Sequence, residues 1–186
     1  MESRILECIF APCLADTLKK YYKHAYIITL GVTFNNIQSD NKMIQIGQWT
    51  GHYSFMDEKI NKIRGFEKTF FEIEILSVND NEFAGKIQDD LTTGGTEGVG
   101  EVSGKIMGDR IDFVKFMPVM TLLVDRIGTR KTFNKKHRPI YYSGQFSSDG
   151  QTVSGTWRFK FGFVWIGIIP VPVIPSKGIW SMTRKK

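Results

Sequence analysis

A chain of 186 residues with a net charge of +6 fits one domain with a sizeable core. Its 14 Phe, 6 Tyr, 4 Trp and 18 Gly point to strands and turns more than to helices. Two cysteines, Cys8 and Cys13, are too few for a disulfide framework. The first residues lack the pattern of a secretory signal, and no uncharged run reaches the roughly 18 apolar residues of a spanning helix. A cytoplasmic, reduced protein is therefore expected.

The charge is unevenly spread. Residues 1–125 hold 13 Lys and Arg against 18 Asp and Glu, whereas residues 126–186 hold 12 against the single acid Asp149. Such a split suits an anionic partner for the C-terminal third. The plainer alternative is that acidic and basic strands alternate around a closed barrel and neutralise each other.

In chain order, residues 1–42 form an N-terminal arm. Pro12 suits a first helical turn, and Leu14, Leu18, Tyr21, Tyr22 and Ala25 follow at helical spacing. Tyr26 to Phe34 alternates as a strand, and the polar stretch from Asn35 to Lys42 separates the arm from a barrel domain over 43–186. From Gln45 onward one pattern recurs: large apolar, small, Gly, any, large apolar. Its copies are Trp49-Thr50-Gly51-His52-Tyr53, Phe83-Ala84-Gly85-Lys86-Ile87, Val102-Ser103-Gly104-Lys105-Ile106, Tyr142-Ser143-Gly144-Gln145-Phe146 and Val153-Ser154-Gly155-Thr156-Trp157. In a strand the first, third and fifth residues share a face, so two bulky groups flank a glycine. A glycine there lets the strand coil and lets neighbouring side chains approach.

Other strands fit around these copies. Lys68 to Leu76 alternates, with Phe71, Ile73 and Ile75 inward and Glu72 and Glu74 outward; Asn79-Asp80-Asn81, Met107 to Arg110 and Ser148-Asp149-Gly150 read as turns; Gly178 to Lys185 is a last strand. The fold class is all-β: an antiparallel up-and-down β-barrel of about eight strands with a partly helical N-terminal arm.

These residues resemble the calycin barrels, the avidin-like ones above all. Tyr142-Ser143-Gly144-Gln145-Phe146 is similar to the Thr/Ser-Gly-x-aromatic units of avidin-like strands, and Gly47-Gln48-Trp49 to the Gly-x-Trp that opens the first strand of lipocalins. The resemblance spans roughly 45–185 and is architectural. It implies that Trp49 packs against a basic residue of the last strand, here Arg184. The sequence departs from the avidin-like pattern at the biotin head-group positions, where Gly51, Phe55, Ile87 and Asp89 stand, while Trp157 occupies the place of a stacking Trp. The departure argues against biotin.

No catalytic constellation assembles: His24, His52 and His137 have no positioned partners and read as surface residues. Cys8, Cys13 and His24 are a weak zinc set without a fourth ligand, so no metal or cofactor is expected. The run from Gly94 to Gly100 leads into a strand and lacks the Lys-Ser/Thr of a phosphate loop, which makes it a flexible hairpin loop. Asp89 and Lys115 continue inward faces, so each must be paired, ligand-facing or solvated; as strand-end residues both are expected to emerge into water.

The uncharged segment from Phe161 to Pro175 is broken by Pro170, Pro172 and Pro175 and suits an edge or loop. It requires a cover: the arm, a second subunit or an anionic membrane surface. The basic stretch from Arg126 to Arg138 has only Phe133 as an interleaved aromatic, which disfavours nucleic acid and suggests a solvated loop. Two functions follow. One is the binding of a small apolar or amphiphilic ligand, in a pocket lined by Trp49, Tyr53, Phe71, Ile87, Asp89, Phe113, Lys115, Tyr142 and Trp157. The other is a non-enzymatic interaction module that uses Phe163, Trp165, Ile166, Ile168 and Ile169 for homo-oligomerisation or membrane contact.

Overall fold

Alternation of apolar and polar side chains makes strands whose inner faces must be covered, and closing the sheet on itself covers them all. The computed structural model describes residues 44–186 apart from 126, 167 and 174. The expected arm over 1–42, and with it Cys8, Cys13 and His24, lies outside the described residues. The strands are β1 (Gly47–Phe55), β2 (Thr69–Asn79), β3 (Glu82–Asp89), β4 (Val99–Met107), β5 (Arg110–Phe116), β6 (Met120–Leu123), β7 (Arg130–Phe133), β8 (Ile140–Phe146), β9 (Thr152–Phe159), β10 (Gly162–Ile166), β11 (Ile169–Val173) and β12 (Lys177–Arg184). Eight of them, β1 to β5 with β8, β9 and β12, form a closed antiparallel barrel in which β12 pairs back onto β1. The all-β, up-and-down architecture expected from the sequence is the observed one.

Two features depart from the expectation. A helix, α1 (Glu58–Arg64), follows β1, capped by the Asp57 side chain and ended by a left-handed Gly65. At seven residues it is too short for helical periodicity to stand out. The second departure is the basic stretch, expected as a solvated loop; the proline-rich apolar stretch, expected as an edge or loop, does form edge strands. The basic stretch folds in part into the β6–β7 hairpin, and the proline-rich apolar stretch into the β10–β11 hairpin, each a separate two-stranded sheet. Pro170 and Pro172 lie opposite Trp165 and Phe163, where a missing N–H is tolerated because the ribbon has free outer edges.

The connections sort by end. Tight turns join β2 to β3, β4 to β5 and β8 to β9, while α1, the loop after β3, the β6–β7 hairpin and the β10–β11 hairpin all emerge at the opposite end. That end is the mouth. Towards the other end the interior is filled by Trp49, Ile75, Phe83, Phe113, Phe146, Val153, Trp180 and Met182, all buried. Both bulky positions of the motif point inward in each of its five copies. The glycine between them makes room for a neighbour: a Cβ on Gly144 would lie 2.7 Å from the Trp180 ring, and one on Gly51 2.7 Å from that of Phe71. Register sets Arg184 opposite Trp49, and the Trp49 indole donates to the Gln45 carbonyl at 3.0 Å.

Candidate ligand-binding cavity

Inside the mouth lies a cavity of about 290 Å³. Its walls are Tyr53 and Phe55 from the end of β1, Tyr142 from β8, and Trp157 and Phe159 from β9. Edge-to-face contacts lock these rings together, with Phe55 on Trp157 at 4.8 Å and Trp157 on Phe159 at 5.6 Å. The Trp157 indole donates to the Ser54 carbonyl at 3.1 Å, which fixes its plane. Aromatic walls pinned in this way form an apolar surface that needs little reordering to receive a ligand.

Asp89 and Lys115 sit at the inner end of this space. They are only 3% and 0% exposed, and the Lys115 ammonium donates to Asp89 Oδ1 at 2.5 Å. The other carboxylate oxygen accepts the Thr96 backbone N–H at 3.2 Å. The expectation that both charges emerge into water is therefore wrong. β3 and β5 both flank β4 in the closed sheet, so the two inward-facing charges meet across it and neutralise each other, which is what burial of either one demands. Burial pushes the Tyr53 and Tyr142 phenols above the ordinary tyrosine range, and the Asp89 charge adds to the effect. Both phenols stay protonated and neutral.

Three arginines complete the lining: Arg64 from α1, Arg130 from β7 and Arg138 from the approach to β8. Arg64 Nη2 donates to Thr69 Oγ1 at 2.7 Å and to the Gly94 carbonyl at 3.0 Å. Arg130 Nη2 donates to the Gly95 carbonyl at 2.6 Å, and Arg138 Nη2 to that of Lys160. The Arg64 guanidinium also lies 4.7 Å from the centre of the Phe55 ring, and that of Arg138 5.6 Å from Phe159. The glycine loop thus holds two arginines through its carbonyls, a more definite task than that of a flexible hairpin.

His137 also lines the cavity, with Nδ1 2.7 Å from the Arg138 carbonyl and its ring against Phe159. Burial holds its pKa below the ordinary histidine value. The sequence reading that made it a surface residue is corrected. His52, on the outer face beside Phe70, is half-exposed as expected.

Of the residues expected to face a ligand, the fold brings Tyr53, Asp89, Tyr142 and Trp157 to the cavity, with Lys115 paired behind them. Trp49, Phe71, Ile87 and Phe113 instead belong to the filled core. Arg64, Arg130, His137, Arg138, Phe55 and Phe159 were not among the residues expected there; the basic stretch is a sequence signal for Arg130 and Arg138, and nothing in the sequence marks Arg64. Phe163, Trp165, Ile168 and Ile169 are exposed on the β10–β11 hairpin, and Ile166 lies on β10. A wider groove, about 680 Å³, crosses the outer wall over β3, β4, β5 and β8. Four of its charged residues pair with each other, Lys105 with Glu82 and Arg110 with Asp112.

No group of three or more metal-ligating side chains occurs among the described residues, and none of their helices is long and apolar enough to cross a membrane. Comparisons with protein-family models, curated proteins and solved structures returned no match. Fold and site together define a class by architecture: a closed eight-stranded antiparallel barrel, calycin-like in form, with a cavity at its mouth.

Proposed function

We propose that this protein binds a small apolar or amphiphilic molecule in the mouth of its barrel. The observation that carries the reading is the aromatic cavity at the end where the long connections gather, in a barrel otherwise filled with side chains. Its volume stands at the lower end of the 300–1,000 Å³ usual for ligand sites, so a compact molecule fits better than a two-chain lipid. Native mass spectrometry of freshly purified protein, set beside a denatured sample, is expected to show a small adduct only in the native spectrum. Ile140→Trp, which fills the cavity, is expected to abolish it. An apo spectrum, together with no fluorescence response to N-phenyl-1-naphthylamine, would overturn the proposal.

A second reading has its own observation. The β10–β11 hairpin exposes Phe161, Phe163, Trp165, Ile168 and Ile169, with Ile168 91% exposed. A cluster of large apolar side chains on a protruding ribbon suits a protein partner or a membrane interface. Lys135, whose ammonium donates to the Trp165 carbonyl at 3.3 Å, and the nearby Lys160 and Lys177 favour an anionic surface.

A further inference from the structure

The charges around the cavity do not balance. Its lining holds three guanidinium groups, those of Arg64, Arg130 and Arg138, and one carboxylate, that of Asp89. Asp89 is already committed to Lys115 and to the Thr96 N–H. The hydrogen bonds of the three arginines go to a hydroxyl and to backbone carbonyls, all neutral acceptors. Each arginine is held in place; the Asp89 charge acts on Arg64 from a distance, but among the described residues none of the three forms an ion pair with a carboxylate.

Two of these guanidinium groups carry an explicit deficit. Arg64 Nη1 and Arg138 Nη1 are buried without a hydrogen-bond acceptor among the described residues. The Tyr53 phenol interacts with Arg64 but supplies Nη1 with no hydrogen bond of good geometry. Burial depresses the Arg64 pKa, and repulsion from Arg130 works in the same direction, yet a guanidinium remains charged at neutral pH. Buried charged donors without acceptors are costly, and an ordered water or a bound anion satisfies them. The flat faces of Arg64 and Arg138 are held near Phe55 and Phe159, so aromatic wall and cation adjoin in one space.

We propose that the cavity selects an organic anion with a single head group, its apolar body against Tyr53, Tyr142, Trp157 and Phe159 and its carboxylate, sulfonate or phosphate head among Arg64, Arg130 and Arg138. Paired oxygens of such heads match the guanidinium fork. This inference rests on the ligand-binding reading above and sharpens it by naming the head-group chemistry.

The test uses the full chain and two fluorescent probes with the same aromatic body. 1-Anilinonaphthalene-8-sulfonate carries an anionic head; N-phenyl-1-naphthylamine does not. The anionic probe is expected to bind at least about tenfold more tightly, the scale of a charged hydrogen bond, and to weaken as salt rises. Decanoate is expected to displace it at a concentration at least about tenfold lower than decanol does. Arg64→Gln and Arg138→Gln are each expected to cost the anionic probe about tenfold and to leave the neutral one within about twofold. The decanoate comparison needs no variant, so loss of folding in either substitution does not blunt the test. Equal binding of both probes, with decanoate and decanol equally effective, overturns the anion selectivity and leaves the cavity reading standing. If neither probe binds, both readings fail.

Discussion

At the scale of the residue, the buried Asp89–Lys115 pair governs the inner end of the cavity. Each charge is tolerable because the other lies 2.5 Å away. Removing one partner leaves an uncompensated charge in a dry site, which costs about 3–5 kcal/mol. Asp89→Asn and Lys115→Met are each expected to lower stability by that amount in urea unfolding. The double variant, with no unpaired charge, is expected to return to within about 1–2 kcal/mol of the parent; losses that simply add would show that the pair is not coupled. The histidines set a second dependence. Burial holds His137 below the ordinary value of 6.5, and burial together with repulsion from Lys68 does the same for His52. Below that pH the unfolded chain takes up protons that the folded one refuses, so the contribution is fully present above about 6.5 and is lost as pH falls. Urea midpoints are expected to decline from about pH 7 to about pH 5, and His137→Gln to flatten the decline.

At the scale of the element, the barrel strands and the two hairpins obey different constraints. A barrel strand is paired on both sides and buries one face. β10 and β11 pair only with each other, and their Phe163, Trp165 and Ile169 are exposed. If the hairpin serves an anionic surface, the protein is expected to sediment with phosphatidylserine-containing vesicles and not with neutral phosphatidylcholine. The double substitution Trp165→Ser and Ile168→Ser is expected to reduce that binding by about a hundredfold or more, since each buried large side chain contributes about 1.5–3 kcal/mol. A stable dimer dissociated by the same substitutions would assign the hairpin to self-association, and a monomer that ignores both vesicles would remove this second reading.

At the scale of the molecule, the charge asymmetry survives folding. Acidic and basic strands would cancel only if they alternated around the barrel. A meander keeps neighbours in sequence as neighbours in space, so β2 to β5 form one continuous arc and β8, β9 and β12 another, with β1 between β2 and β12. Lys185 reaches Glu72 at 3.1 Å, and among the described residues it is the one basic residue of the C-terminal third in a salt bridge. Part of the basic excess, Arg130 and Arg138, turns into the mouth.

The sequence alone determined the barrel, because inward and outward faces are written locally, two residues apart. The repeated glycine motif marked five of its strands, and the alternation from Phe71 to Ile75 marked another. It also named Tyr53, Asp89, Tyr142 and Trp157 as residues of one inward face. α1 stayed hidden because seven residues carry too little periodicity. The partnership of Asp89 with Lys115, 26 residues apart, and the meeting of Arg64 with Arg130 and Arg138 were decided only when the sheet closed. Closure fixes which strand ends share a mouth, and contacts made there depend on strand order and connection geometry rather than on any local pattern.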